Sequence, residues 1–287
     1  MEKNIILEKL LKVLPLLHKE HSCFSPLYSL LYTVVKCEVE KIFNRTSNEK
    51  NILEPFGLIC MPYFSMGAVS SLNLFELDEL ILFSFYWANR NRYKRVLDIG
   101  ANIGLHSVIL SRCGFEVQLF EPDPIHFKKL EEILHLNDIT NVKKHCAAVS
   151  SHSGQAEFVR VLGNTTSSHL AGSKQPYGDL EKFSVPLIDI REVMRSVDFI
   201  KMDVEGHEKD IILATDRKHW EKTDMMLEVG SQENAKVIFT HLKSLNLSLF
   251  SQKTGWGKVE KLEDMPTFYK EGSLFISAKK EMVWSCE

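Results

Sequence analysis

The chain has no C-x-x-C pair among its six cysteines, Cys23, Cys37, Cys60, Cys113, Cys146 and Cys286. That absence removes zinc-knuckle and thioredoxin-like readings. Scattered thiols in a chain of 287 residues read instead as buried side chains in a reducing compartment, and the expected location is the cytoplasm. A surplus of basic charge is also missing. Lys and Arg number 35 against 38 Asp and Glu, a net charge of −3, so no nucleic-acid partner is expected. Long apolar runs are absent too. The longest nearly uncharged stretch, Cys23 to Val35, is too short and too polar for a membrane span. Glu2, Lys3, Glu8, Lys9 and Lys12 break up the apolar N-terminus, which suits an amphipathic helix better than a signal peptide. There is no internal repeat, no low-complexity tail and no H-x-H or H-E-x-x-H spacing for a metal.

What is there is an ordinary globular composition, 44% hydrophobic and 25% charged, enough for one large α/β domain with added elements. Ile5, Ile6, Leu10, Val13, Leu14 and Leu17 recur at helical spacing, with Pro15 as a kink. A second helix is predicted over Leu27 to Phe43 and a third over Leu74 to Trp87. Between them, Phe56 to Ala68 has β character punctuated by Pro55, Gly57, Pro62 and Gly67. From Arg95 onward strands and helices alternate. Strands are predicted at Arg95–Ile99, Glu116–Phe120, Val142–Val149, Gln155–Leu162, Phe183–Leu187, Asp198–Val204 and Asp224–Val229. Helices are predicted at Gly104–Cys113, Asp123–Asn137, Ile190–Arg195, Gly206–Ala214 and Glu233–Leu245. Leu247–Phe250 and Leu274–Ser277 read as a closing antiparallel pair. The alternation implies a doubly wound, mostly parallel Rossmann-like sheet with right-handed crossovers. An N-terminal helical and β extension, residues 1–71, would precede a domain over residues 72–287.

The strongest local signal is Val96-Leu-Asp98-Ile-Gly100-Ala-Asn102-Ile-Gly104, a strand entering a tight turn and then a helix. In open α/β sheets ligands bind beyond the carboxyl ends of the strands. Asp98 is expected at that edge, facing the cationic end of a sulfonium amino acid. Gly100 and Gly104 are expected to leave room for a cofactor, and Asn102 to serve the turn and hydrogen bonding. In Phe120-Glu121-Pro122-Asp123-Pro124, Glu121 ends the next strand, where a carboxylate accepts from ribose hydroxyls. Asp123 reads as a helix N-cap before Pro124. A nicotinamide cofactor is the rival, but that fold prefers G-x-G-x-x-G and Asn102 stands at the middle glycine.

These residues, followed by Phe199-Ile-Lys-Met-Asp203-Val-Glu-Gly-His-Glu208 and Leu227-Glu-Val229, resemble the FkbM-type methyltransferases in order and spacing over about Leu74 to Ser277. Asp-Val-Glu-Gly-x-Glu is the distinctive part, and Asn164 to Ser168 resembles a loop between those motifs. The resemblance implies S-adenosyl-L-methionine as methyl donor, held by Asp98, Gly100, Asn102, Gly104, Glu121 and Pro122. It implies a hydroxyl acceptor on a sugar, a glycan or a polyketide-like small molecule.

Asp203, Glu205, His207 and Glu208 follow one predicted strand, and Glu228 ends the next. Such an acidic edge can bind acceptor hydroxyls, take a proton or hold Mg²⁺ through Asp203 and Glu228. Asp203 and His207 are the base candidates. Glu205 and Glu228 are the acceptor contacts. Glu208 reads first as a helix acid on the macrodipole, His106 as a packing or surface residue, and Lys201 as a sheet residue. The loop Asn164 to His169 offers hydroxyls for a polyol, with His169 as an alternative base if the loop covers the site. A metal-dependent hydrolase and a non-catalytic binding module are the alternatives from other classes.

Overall fold

The computed structural model describes residues 4–43 and 50–284. Glu2, Lys3 and Cys286 lie outside the described residues. Helix α1 (Ile5–Val13) starts where Asn4 accepts from the Leu7 amide. A 3₁₀ segment (Leu14–Glu20) with Pro15 in its first turn follows, at the predicted kink. Helix α2 (Pro26–Ile42) is capped by Ser25 with proline in its first turn, the pairing such a start favours. Strands β1 (Lys50–Ile52) and β2 (Leu58–Cys60) form an antiparallel pair. The rest of the stretch predicted as β, up to Ala68, is irregular apart from isolated bridges at Ser65 and Gly67, as its prolines and glycines dictate. Helix α3 (Leu77–Ala88) buries most of its length.

Then come β3 (Arg95–Ile99), α4 (Leu105–Arg112), β4 (Glu116–Phe120), α5 (Pro124–Leu136), β5 (Val142–His145), β6 (Ala148–Ser150), β7 (Gly154–Val161), β8 (His169–Leu170) and β9 (Leu180–Asp189). After these follow α6 (Ile190–Val193), β10 (Phe199–Met202), α7 (Glu208–Leu213), β11 (Asp224–Glu228), α8 (Gln232–Ser244), β12 (Ser248–Ser251), β13 (Gly257–Lys258) and β14 (Ser273–Ser277).

The main sheet has the order β13-β12-β14-β11-β10-β3-β4-β5. Strands β11, β10, β3, β4 and β5 run parallel, and β14 and β12 close the far side antiparallel. The predicted α/β class and the closing pair both stand. The chain lays β4 and β5 on one side of β3 and returns to place β10 and β11 on the other. The crevice beyond the ends of β3 and β10 is therefore the switch point where such sheets bind ligands.

Two predicted strands change. Val142–Val149 is not one strand: β5 ends at His145, and β6 joins a second, four-stranded sheet of order β6-β9-β7-β8. Lys143 and Lys144 face solvent, as an edge strand tolerates, whereas Ala148, Val149 and Ser150 are buried. The predicted Phe183–Leu187 strand extends to Leu180–Asp189 and pairs antiparallel with β7. The loop between them contains a 3₁₀ turn (Thr165–Ser167) and β8.

Alternation along the strands divides the core. Val96, Phe199, Met226 and Phe275 face a cluster that includes Leu7, Leu10, Tyr28, Val35 and α3. Leu97, Ile200, Met225 and Ile276 face the opposite layer with Ile211, Trp220 and Ile238. The N-terminal helices thus share one apolar core with the sheet. Polar contacts reinforce this. The Trp256 indole donates to His21 Nδ1 at 3.0 Å, and Gln252 Nε2 donates to the His21 carbonyl and to Asp78. The cysteines were expected to be buried, but among the described residues only Cys60 and Cys113 are; Cys23 is half-buried, and Cys37 and Cys146 are exposed. Cys37 lies in α2 and Cys146 at the bend between β5 and β6. Among the described residues no helix is long and apolar enough to cross a membrane.

Gly255 has φ +63°, and a Cβ there would sit 2.3 Å from the Lys19 carbonyl oxygen. Gly255→Ala is expected to lower the unfolding free energy by roughly 2–3 kcal/mol, because neither backbone can yield cheaply. Urea denaturation reads this directly. An unchanged midpoint would show that the two segments are not locked together there.

Candidate active site

The turn after β3 is set by backbone. The amides of Gly100 and Ala101 both donate to the Phe120 carbonyl at 3.0 Å. Asn102 takes φ +52°, a conformation Asn tolerates better than most residues. Its amide donates to Glu121 Oε2 at 2.8 Å, and the Asp123 amide donates to Glu121 Oε1 at 2.8 Å. Asp123 also caps α5, as predicted, and binds Arg160 through two nitrogens at 2.7 and 2.6 Å.

The glycines serve the chain's own packing. A Cβ on Gly100 would lie 1.7 Å from the Asp203 carbonyl oxygen, and one on Gly104 would lie 2.8 Å from Leu130 Cγ. The side of each glycine where a Cβ would point is filled by the next motif and by α5. This close approach welds the turn after β3 to the turn after β10, where the Asp203 amide donates to the Ile99 carbonyl.

The second turn carries the acids. Glu205 adopts φ +55°, a costly setting for a non-glycine residue and a mark of functional turns. Its carboxylate pairs with Lys174. Glu208 accepts from the Gly206 amide and from Asn234 Nδ2, each at 2.9 Å. It therefore braces the turn and α8. His207 has both ring nitrogens engaged: Nε2 lies 2.9 Å from Ser150 Oγ, and Nδ1 lies 3.2 Å from both Ser173 Oγ and Asp210 Oδ2. Among the described residues, no side-chain hydrogen bond engages the Asp203 or the Glu228 carboxyl group.

One cavity of about 260 Å³ joins the two turns. Its wall includes Gly100, Asn102, Glu121 and Pro122 at one end and Asp203, Glu205, His207 and Glu228 at the other. Thr165, Thr166 and Ser168 also reach it, so the 163–180 loop covers the site. Asp98, Gly104 and His169 do not line it. Asp98 is fully buried behind the wall; Ser107 Oγ donates to its Oδ2 at 2.6 Å, and Lys201 Nζ stands 3.6 Å from Oδ1. Its strand register pairs it with Lys201, which occupies the cationic place expected for a ligand. His169 is buried in β8, where its Nδ1 meets the Ser167 carbonyl. Pairing with β7 turns it away from the cavity as an alternative base.

Sequence reasoning passed over two members of this site. Glu79 on α3 reaches the cavity, but its place among apolar helix residues gave no motif to mark it. Lys201 was read as a sheet residue. The signal was a lone charge in Phe-Ile-Lys-Met, since a lysine in a buried strand needs partners. Its Nζ donates to the Gly100 carbonyl at 3.1 Å. Burial works to lower its pKa, but Asp98, Asp203, Glu79 and Glu228 outweigh this and raise it.

The electrostatics of the acids follow from burial and crowding. Burial, then Asp203 and Glu205, push Glu228 well above the usual carboxylate range. Glu205 is raised to about 7 by burial and by Asp203, against the pull of Lys174. Burial raises Glu121 to about 8 despite its two backbone donors. Burial lowers His207. Asp203 and Glu228 were the residues that could hold Mg²⁺. Both reach the cavity, yet among the described residues no three His, Cys, Asp or Glu side chains are arranged to hold a metal ion. Lys201 and Lys174 already supply positive charge there.

The folded chain holds protons on Glu121 and Glu205 where the unfolded chain, near 4.5, has released them. Their stabilising contribution is complete below that value and is lost as pH rises through about 7 and about 8. Denaturation midpoints are expected to fall across that window. The fall should be shallower in the Glu121→Gln, Glu205→Gln double variant. Equal slopes would mean the two acids are not desolvated.

Comparison with known proteins identifies the family of the matched segment. The methyltransferase FkbM domain matches residues 98–256. Methyltransferase sdnD of Sordaria araneosa is 28% identical over 160 residues, covering 44% of this chain and 62% of that protein. Methyltransferase 1 of Beauveria bassiana (strain ARSEF 2860) is 21% identical over 187 residues, covering 56% of this chain and 75% of that one. Among solved structures, a SAM-dependent methyltransferase from Agrobacterium tumefaciens has a TM-score of 0.37 at 10% identity, over 70% of this chain and 62% of that one. That likeness is too low to carry any residue role across. The matched segment holds both turns that build the cavity, and the chain belongs to the FkbM methyltransferase domain family.

Proposed function

We propose that this chain is an S-adenosyl-L-methionine-dependent O-methyltransferase acting on a hydroxyl of a small, sugar-like or glycan acceptor. The observation that carries the reading is the single cavity lined by the Gly100–Asn102 turn and Glu121 at one end and by Asp203, Glu205 and Glu228 at the other. The residues present suit the cofactor. Asn102, Glu121 and Pro122 line the turn end of the cavity. Each Glu121 oxygen accepts one amide, so in its ionised form a further lone pair on each can receive a ribose diol. Gly100, Asn102, Glu121 and Pro122 are the proposed contacts. Asp98 and Gly104 act behind them, by charge and by packing.

When bound, S-adenosylmethionine supplies a methyl carbon already activated by its sulfonium. The protein's part is chiefly placement, which can be worth roughly 7–11 kcal/mol of a barrier. Glu205 and Glu228 would hold acceptor hydroxyls. Asp203, with its carboxylate free of side-chain hydrogen bonds, would receive the proton as the hydroxyl oxygen attacks. Burial and the neighbouring Asp203 raise Glu205 and Glu228, which favours a proton on those two acids. His207, committed at both nitrogens, would position the Glu205–Gly206 turn. Thr165, Thr166 and Ser168 offer further hydrogen bonds to a polyol. Residues 1–71 are proposed as an extension that backs the domain over residues 72–287, with Val69 reaching the cavity mouth.

Two substitutions separate the two ends. Glu121→Ala should weaken S-adenosylmethionine binding by about 10- to 100-fold. Asp203→Asn should leave binding within about 3-fold and reduce methyl transfer by about 10²- to 10⁴-fold. Radiolabelled transfer to a panel of sugars and polyols, beside equilibrium dialysis, measures both. The reverse pattern would sink the assignment.

A further inference from the structure

The cavity contains an acid that belongs to neither turn. Glu79 comes from α3, before the matched segment begins, yet it reaches the same wall as Ile99, Gly100, Asp203 and Glu228. Its carboxylate is held from one side. Oε2 lies 2.8 Å from His106 Nε2, and His106 Nδ1 lies 3.0 Å from the Tyr86 hydroxyl. Tyr86 is buried in the core and His106 nearly so, which fixes the line of groups. Phe83 packs edge-on against the His106 ring at 5.1 Å. Among the described residues, Oε1 has no hydrogen-bond partner. The acid is thus anchored through one oxygen and open through the other.

Its charge state differs from that of its neighbours. Burial works to raise its pKa, but contact with His106, with help from Lys201, holds Glu79 below the usual range. Glu228 beside it goes the other way. Glu79 is therefore a carboxylate that favours its ionised form on the cavity wall. Asp98, the residue expected to face a cationic amino acid, is instead sealed behind the wall with Ser107 and Lys201. Asn102, Glu121, Asp203 and Glu228 line the same cavity and give it polar walls.

We propose that Glu79, aligned by His106 and Tyr86, receives the α-ammonium group of the cofactor's amino-acid portion, the role that sequence alone gives to Asp98. The proposal rests on the S-adenosylmethionine reading above. It separates from that reading because it concerns one end of the molecule only. His106 and Tyr86 are positioning residues, and Glu79 is the contact.

The test is calorimetric titration with three probes: S-adenosylhomocysteine, its deaminated analogue, and 5′-methylthioadenosine, which lacks the amino acid altogether. In the wild type, S-adenosylhomocysteine should bind about 10- to 100-fold more tightly than the deaminated analogue, the range for a hydrogen bond to a charged group. Glu79→Gln should remove most of that difference and leave methylthioadenosine affinity unchanged. Tyr86→Phe should reduce the difference in part while also sparing methylthioadenosine, which a general loss of structure would not do. If Glu79→Gln does not fold, as near-ultraviolet circular dichroism would show, Glu79→Asp draws the carboxylate back while keeping its charge, and the same selective loss is expected. Equal wild-type affinity for the amino and deaminated compounds would overturn the proposal while leaving the cofactor reading intact. So would an equal loss for all three probes in Glu79→Gln. Failure of the wild type to bind any of the three would overturn the cofactor reading, and this proposal with it.

Discussion

Everything at this site is organised around the ammonium group of Lys201. It sits in a parallel strand with almost no exposure, a position that is costly for a charge without partners. The register of β10 on β3 puts it beside Asp98. Its Nζ reaches the Gly100 carbonyl, and the fields of Asp203, Glu79 and Glu228 converge on it. One buried cation thus balances several carboxylates that would otherwise repel one another. It also links the strand end carrying the first turn to the strand end carrying the second. Removing one member of such a buried set leaves the others uncompensated, which is why a change at Asp98 is expected to act through the whole cluster and not through a ligand contact.

A steric constraint works beside this electrostatic one. Gly100 admits the Asp203 carbonyl to a distance that no side chain allows. Together with the Asp203 amide donating to Ile99, this fixes the relative placement of the two motifs. The cavity ends therefore keep their spacing without a bound ligand. Such rigidity suits a reaction in which placement of two partners matters most. The strained Glu205 and the braced Glu208 belong to the same arrangement: one faces the cavity and the other holds the turn from behind.

Much of this was legible in the chain. The strand–turn–helix pattern around Asp98 to Gly104 and the glutamate after β4 predicted both the α/β sheet and one end of the cavity, because glycines, caps and short apolar runs act locally. The run from Asp203 to Glu208 predicted the other end. Tertiary facts were not legible. The second sheet arises because the chain bends after His145, and no local pattern separates an edge strand from the buried residues that follow. Asp98 was assigned a ligand because its partner, Lys201, lies about a hundred residues away and meets it only through strand register. Glu79 went unmarked for the same reason: its meaning comes from His106 and Tyr86, which only the packing of α3 on α4 brings together. His207 was a base candidate and His169 its alternative; the structure engages both nitrogens of the first and places the second in a strand.

The central claim is that one cavity accepts an S-adenosyl cofactor at the Gly100–Glu121 end. The most direct measurement is calorimetric titration of the full chain with S-adenosylmethionine and, separately, with NAD and NADP. The account predicts saturable binding of the sulfonium compound at one site per chain and no heat from either nicotinamide. Binding of NAD or NADP with no response to S-adenosylmethionine would contradict it.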